Sequence, residues 1–447
     1  MPWAGMMPRL WRLTADRHQR NAIPSQAYKL EGMATAGPNI FLSAGEASGE
    51  AYGALLISEL KERCARMGMT PSFLGMGGER MEALGLERIV RSEDVAVMGI
   101  TEVIRHMPRI YGEYRKLKDA VHARRPDVAV LIDFPDVHLR LAETFKRLGI
   151  PVIFFVSPQL WAWKKGRIKR VQRFVDRMLV IFPFEKPFYR ERGVDAKYVG
   201  HPLADLSLPE ISRAEFATAN GLNPDNRWIG LLPGSRAKEI RLNLPEMLRA
   251  ARLLLEREPK TEFLLPLAPT LTAEQTHEVT ELLNEHGAGL PLELVRDARA
   301  TLFHARGSIV ASGTATVEAA LIGNPFVVVY RVSPVTYAIA KRVVTVPHVA
   351  MVNLVADQNP ANRLVPELIQ DDFQATRIVQ ELEPLLADGT ARAAMVLGLK
   401  EVAAKLHSGF GTDEGNKGMA GETAIGAVAT VVLETLGLAS KEVHSAF

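Results

Sequence analysis

Residues 39–53 read Asn-Ile-Phe-Leu-Ser-Ala-Gly-Glu-Ala-Ser-Gly-Glu-Ala-Tyr-Gly. Asn39–Ser43 is a short apolar run, the right length for a buried strand and too short for a helix. Glycines at 45, 49 and 53 let the backbone turn tightly and come close to a ligand. An amphipathic stretch from Tyr52 to Met67 then predicts a helix. A strand that turns through small residues into a helix presents free N–H groups to an anion. Gly45, Ser48 and Gly49 are therefore candidate binding residues, although a βα turn that binds nothing reads the same way.

The same pattern repeats along the chain. Ser72–Gly75, Val128–Asp133, Val152–Val156 and Met178–Ile181 are strand-like runs separated by helical segments. It then restarts: Trp228–Leu232 runs into Pro233-Gly234-Ser235-Arg236 and a helix. Glu262–Leu267, Ser308–Ala311 and Pro325–Tyr330 follow as strands, with Thr314–Leu321 helical. Such alternation predicts parallel sheets flanked by helices. The expected fold is α/β, with two Rossmann-like domains facing a cleft and a joint bracketed by Pro202 and Pro209. The expected boundaries are 37–204 and 205–385, followed by C-terminal helices over 386–447. Of these, Thr423–Leu436 is expected to pack back on the first domain.

Composition supports this and excludes other classes. The chain has 447 residues, 47% hydrophobic and 23% charged, enough to bury more than one core. A net charge of +3 suits an anionic ligand or surface, and no basic tract or recognition motif argues for nucleic acid. One cysteine, Cys64, rules out an internal disulfide and a cysteine zinc cluster. No apolar run is long enough to cross a membrane. Residues 1–36 carry Arg9, Arg12, Arg17 and Arg20 without a signal-type apolar core, and read as a basic, poorly ordered extension or an upstream start.

Open α/β sheets bind ligands beyond the carboxyl ends of their strands. Asp133 ends an apolar strand there, where a carboxylate can take a proton from an attacking hydroxyl; Asp136 stands nearby, and spacing alone does not choose between them. Gly234, Ser235 and Arg236 make a helix-entry turn with a bidentate donor, suited to a diphosphate. Ser312, Gly313 and Thr314 form a second such turn, and Glu318 follows where a carboxylate can accept from a ribose. Each also reads as an ordinary turn or helix end. Val103, Ile104, Met107, Ile110 and Tyr111 recur at near-helical spacing among Arg105, Arg109, Arg115, Lys116 and Lys118, so Gly99–Lys118 is a candidate membrane-facing stretch. Pro108 is expected to break or kink a helix there, which allows two short helices. His201 is as readily structural as functional. No metal-ligand spacing, dinucleotide fingerprint, P-loop or nucleophile elbow occurs, so neither metal nor cofactor is expected.

Taken in order, several blocks resemble the lipid-A-disaccharide synthase family. They are Ala44–Gly49, Val97-Met98-Gly99, Ile132-Asp133 with Pro135-Asp136, and Ser157-Pro158-Gln159 with Trp161-Ala162-Trp163. Pro183–Lys186, Val199–Pro202, Leu232–Arg236, Ala311–Thr316 with Glu318, and Ala340–Arg342 complete the series. The chain departs from the family pattern at Glu50, at Val137-His138 (where Phe-Asn is usual), and at Val352 and Asp357-Gln358 around Asn353.

The resemblance implies a GT-B type glycosyltransferase with the nucleotide on the second domain and Asn353 among its contacts. The donor would be UDP-2,3-diacylglucosamine and the acceptor 2,3-diacylglucosamine 1-phosphate. The products would be a β-1,6 disaccharide 1-phosphate and UDP, with inversion at the anomeric carbon. It favours Asp133 as base, ionised near its ordinary pKa of about 3.9. It implies a peripheral place on the cytoplasmic face of an inner membrane, with an anionic surface as partner, and is compatible with a homodimer. Two other readings share these features: another UDP-sugar enzyme of the same architecture, and a non-catalytic membrane-associated protein that binds the nucleotide sugar.

Overall fold

Ile40, Leu42 and Ala44 are buried against one layer of helices and Phe41 against the opposite layer. Val128, Val130 and Ile132 likewise alternate with Ala129 and Leu131. A strand covered on both faces needs an apolar residue at every position, which is why these runs are continuous. Each fully buried Leu, Ile or Phe contributes about 1.5–3 kcal/mol through removal of its surface from water.

The computed structural model describes residues 35–95, 100–162, 165–268, 271–344, 346–359, 361–408 and 421–439. The extension expected over residues 1–36 lies almost wholly outside them, as do Val97-Met98-Gly99, Trp163 and most of the glycine-rich stretch Ser408–Gly418.

The first sheet contains β1 (Thr35–Ala44), β2 (Met69–Gly77), β3 (Leu86–Arg91), β4 (Val128–Ile132), β5 (Val152–Phe155), β6 (Arg177–Val180) and β7 (Ala196–Tyr198). The second contains β8 (Arg227–Leu232), β9 (Thr261–Pro266), β10 (Leu292–Val295), β11 (Gly307–Ala311), β12 (Phe326–Tyr330) and β13 (Glu367–Ile369). Their orders are β3-β2-β1-β4-β5-β6-β7 and β10-β9-β8-β11-β12-β13. Every pair of the second sheet is parallel.

The principal helices are α1 (Ala47–Arg66), α2 (Ile100–Arg124), α3 (Pro135–Arg147), α4 (Ala237–Arg257), α5 (Thr314–Ile322), α6 (Met351–Ala356), α7 (Thr390–Leu406) and α8 (Ala424–Thr435). The α2 helix runs through Pro108 as one element, so of the expected break or kink the break into two short helices is corrected. Proline removes one N–H from the ladder, and full turns on both sides carry the helix across.

Strand order reverses between β1 and β4 in the first sheet and between β8 and β11 in the second. These are the switch points beyond which an open α/β sheet leaves a crevice. Glu46, Asp133, Arg236 and Gly313 all follow strands at these two points. The last helix, α8, lies against α1. Arg63 of α1 holds it there, donating to Glu422 at 2.6 Å and to Thr430 at 2.7 Å.

Candidate active site

Asp133 sits one residue beyond β4, with its backbone N–H donated to the Phe155 carbonyl at 2.9 Å. Asp133 and Phe134 both adopt left-handed backbone, at φ 50° and 48°. For residues other than glycine this costs about 1–3 kcal/mol each, and it persists only where surrounding contacts impose it. The Phe134 ring folds over Gly45, where a Cβ would fall 2.4 Å from the ring. At Gly45 the Phe134 ring makes a close approach that leaves no room for a side chain.

The electrostatics of Asp133 differ from the sequence expectation. Burial pushes its carboxyl up to about 7, and the nearby Glu46 carboxylate adds to the rise. The Phe134 N–H and the Arg236 guanidinium act in the opposite direction. The expectation of an ordinary aspartate is corrected: desolvation disfavours the charged form. Asp136 is different in kind. It is exposed on the first turn of α3 and paired with Arg167.

Glu46 and Arg236 come from opposite sides of the cleft. The Arg236 guanidinium lies 3.4 Å from the Glu46 carboxylate and 3.3 Å from that of Glu239. Neither Glu46, which precedes α1, nor Arg236, which precedes α4, caps its helix with a side chain. Gly313, which precedes α5, has none to offer. By contrast, Ser212 and Thr272 cap their helices with reciprocal Glu215 and Gln275 contacts. Uncapped helix starts leave N–H donors for an anion.

The turn from Pro233 to Arg236 is held by what lies behind it. Buried Asn243 donates to the Pro233 carbonyl at 2.9 Å and accepts from the Arg331 N–H. Gly234 has φ 123°, and a Cβ there would meet the Glu239 carboxylate at 2.6 Å. At Gly313 a Cβ would meet nothing within 4 Å, so that turn is open to a ligand. Ser235 and Thr314 are exposed, and Ser48 and Ser312 half-buried. Burial raises the carboxyl of Glu318, with Arg299 opposing and Asp297 reinforcing the rise.

Asn353 does not join this group. Its side chain donates to the Val365 carbonyl and the Glu367 carboxylate and accepts from the N–H groups of Leu364 and Val365. Fully buried, with every donor and acceptor engaged, it braces the chain after α6 and offers nothing to a ligand. Its reading as a binding residue gains no support from these contacts.

Sequence reading missed Tyr52 and His138, and gave Glu46 no role. Tyr52 lies buried in α1, and burial with the charges of Glu318 and Asp133 raises its hydroxyl well above the ordinary range. It thus feels carboxylates of both halves. The buried His138 imidazole contacts Ser43 and the Asp133 carbonyl. The Ser43 and His138 positions are 95 residues apart, and no local motif signals their meeting.

The tryptophan block also acquires a place. Trp161 donates its indole N–H to buried Glu185 at 3.0 Å, and Glu185 accepts from the Phe182 N–H at 3.0 Å. Trp161 and Ala162 pack on Leu354 of α6, joining the first half to the second.

A family model described as lipid-A-disaccharide synthetase matches residues 40–410. The chain is 63% identical over 378 residues to the lipid-A-disaccharide synthase of Acidobacterium capsulatum, covering 83% of this chain and 92% of that one. It is 48% identical to that of Koribacter versatilis, covering 83% and 94%. Among solved structures it is similar to the S. aureus MnaA–UDP co-structure, with TM-score 0.59, 12% identity, and coverage of 90% and 98%. It is similar also to CalG4, the calicheamicin glycosyltransferase, with TM-score 0.52, 17% identity, and coverage of 90% and 98%. These two likenesses show the two-sheet fold.

Proposed function

The chain belongs to the lipid-A-disaccharide synthetase family and is a glycosyltransferase of lipid A biosynthesis, and we propose from that premise which residues carry the transfer. The donor is UDP-2,3-diacylglucosamine and the acceptor 2,3-diacylglucosamine 1-phosphate. One observation carries the assignment: the two switch points face each other with opposite charge, and Arg236 reaches Glu46 beside Asp133.

Asp133 takes the proton of the acceptor 6-hydroxyl. That oxygen forms the new bond to the donor's anomeric carbon, and the bond to the UDP oxygen breaks on the far side. UDP leaves with the bonding electrons and the carbon inverts. The charge that develops on the diphosphate meets Arg236 and the free N–H groups at the starts of α4 and α5. Gly234, Ser235, Ser312, Gly313 and Thr314 let the phosphates approach, and Glu318 accepts from the ribose. On the acceptor side, Ser48 and Gly49 stand in the first turn of α1, where its N–H groups face the cleft.

A carboxyl held near 7 is a better base at neutral pH than an ordinary aspartate, because the proton it accepts is more firmly held. When Arg236 moves onto the diphosphate, its lowering influence on Asp133 weakens. The test is a product assay with purified protein and both diacylated substrates in mixed micelles, read by mass spectrometry. A disaccharide 1-phosphate matched by UDP supports the reading. UDP binding without product points to a non-catalytic binding protein.

The same proposal includes a surface. On α2, Tyr111 is exposed, with Ile110 half-buried beside it and Arg109, Arg115, Lys116 and Lys118 exposed around them. Side chains of Val103, Ile104 and Met107 lie outside the described residues. An aromatic residue within a basic helix face suits an anionic inner-membrane surface, where the acyl chains of both substrates reside. Among the described residues no helix is long and apolar enough to cross a membrane, so we read the attachment as peripheral.

A further inference from the structure

His138 stands where the family pattern has asparagine, and its contacts give it a defined protonation. Its Nδ1 lies 2.6 Å from the Asp133 carbonyl oxygen, and its Nε2 lies 2.7 Å from the Ser43 hydroxyl. A carbonyl only accepts, so Nδ1 carries the proton and donates. In a neutral ring Nε2 is then bare, and the Ser43 hydroxyl donates to it. Burial supports the neutral form, holding the imidazole down near 4. The ring is packed edge-on against Phe134 at 5.7 Å and Phe154 at 6.3 Å, so it cannot turn over freely.

This relay ends on the peptide that needs holding. The carbonyl it grips belongs to Asp133, the first of the two consecutive left-handed residues. Ser43 lies on β1, three residues before Glu46, so one chain of hydrogen bonds ties the end of β1 to the peptide beyond β4. We propose that His138, set in one tautomer by the Asp133 carbonyl, is a positioning residue that clamps the Asp133–Phe134 peptide and thereby aims the Asp133 carboxylate at the acceptor hydroxyl. It touches no substrate and transfers no proton. This rests on the reading of Asp133 as the base.

A satisfied core histidine with no bearing on the reaction would show the same packing, so the test must separate aim from stability. His138→Phe keeps a ring of similar size and removes the donor. His138→Asn places an amide N–H close to the position of Nδ1. Turnover of the diacylated substrate pair and UDP affinity are measured for both, beside Asp133→Ala. Displacing a reacting group by about an ångström costs on the order of a hundredfold. The expected result is a fall in kcat of about that size for His138→Phe, with KM for the UDP-sugar and UDP affinity within about twofold, and most of the rate restored in His138→Asn.

A His138→Phe protein with wild-type kcat overturns the proposal. So does a loss that His138→Asn does not restore, or one shared equally by KM and UDP affinity. If His138→Phe does not fold, His138→Gln decides. Its amide reaches the position of Nε2 and keeps a partner for Ser43 but leaves no donor at Nδ1, so kcat should fall at unchanged KM; an unchanged kcat sinks the idea. Asp133→Ala separates the two failures. If it turns over normally, the base assignment falls and the positioning role with it. If it is inactive while His138→Phe is normal, only the positioning role falls.

Discussion

The two switch points share a topology and differ in what the chain places on them. The first carries acids: Glu46 and Asp133, with the backbone beyond β4 forced into two left-handed residues. The second carries positive charge: Arg236 and two helix starts without side-chain caps, on turns relaxed by Gly234 and Gly313. One is held from behind by an imidazole relay, the other by a single asparagine, Asn243. On the proposed reading, the difference separates two tasks. Removing a proton at one atom demands an aimed, desolvated carboxylate, so strain and burial accumulate there. Receiving a diffuse diphosphate charge demands many donors and open space, and glycine turns provide both without strain.

The largest test of that division is Asp133→Asn. Loss of the base should lower kcat by about a thousandfold, the middle of the range for general-base catalysis, while UDP still binds in calorimetry. Near-normal turnover would remove the acid side of the comparison altogether. Next, Arg236→Ala should cost about a hundredfold in kcat and weaken UDP as well, because it removes a donor to the leaving group. A loss of rate with UDP affinity intact would mean that Arg236 serves only its contact with Glu46.

Glu46→Gln should act more gently and on the pH axis. The active form of Asp133 is ionised, so the rate falls as pH drops through its pKa, which burial and Glu46 raise to about 7. Removing the like charge should shift that acid limb of kcat/KM to lower pH, yet leave it above the ordinary aspartate range because burial remains the larger cause. A limb that stays in place would show that Glu46 does not face the base in solution.

Linkage gives an independent reading. A carboxyl whose folded pKa is raised stabilises the fold below its unfolded pKa, and that contribution is lost as pH rises through about 7. Asp133→Asn should therefore gain Tm over the parent at pH 8 and show little gain near pH 4.

The smallest effect on chemistry belongs to Asn353→Ala. It leaves the Leu364 and Val365 N–H groups without their acceptor and should lower stability by about 1–3 kcal/mol, seen in denaturant melts. Turnover per folded molecule should hardly change. A selective loss of kcat would restore Asn353 to the site.

The central strands were legible because burial on both faces leaves them almost wholly apolar, with Ser43 and Ser308 the buried exceptions. Ile40–Ala44, Val128–Ile132 and Gly307–Ala311 stand out in the sequence for that reason. The outer strands β3, β7, β10 and β13 did not stand out. They are short and lie at or near the sheet edges, and β3 and β10 are half exposed, so their residues lack a continuous apolar run. The site divided in the same way. Turns next to strand ends announced Asp133, Arg236 and Ser312–Thr314. Contacts made across the fold, such as Ser43 with His138 or Arg236 with Glu46, carry no local signature, and desolvation at Asp133 is a property of the assembled cleft. At Asn353 the sequence does not separate a fully engaged brace from a ligand contact, because both draw on the same residue type.

The chain passes between the two sheets after β7 and returns after α7, and the two passages touch. The Tyr198 hydroxyl donates to the Lys405 carbonyl at 2.7 Å, and the His201 N–H to that of Leu406 at 2.8 Å. Gly200, at φ 87°, lies so close that a Cβ would fall 2.6 Å from the Ser408 nitrogen. A body tethered by one strand can swivel about it as well as bend. Two tethers laced side by side suppress the swivel and leave bending as the soft coordinate. Closure of the cleft then reduces to one angle, and a side chain added at Gly200 would act as a wedge that resets its resting value.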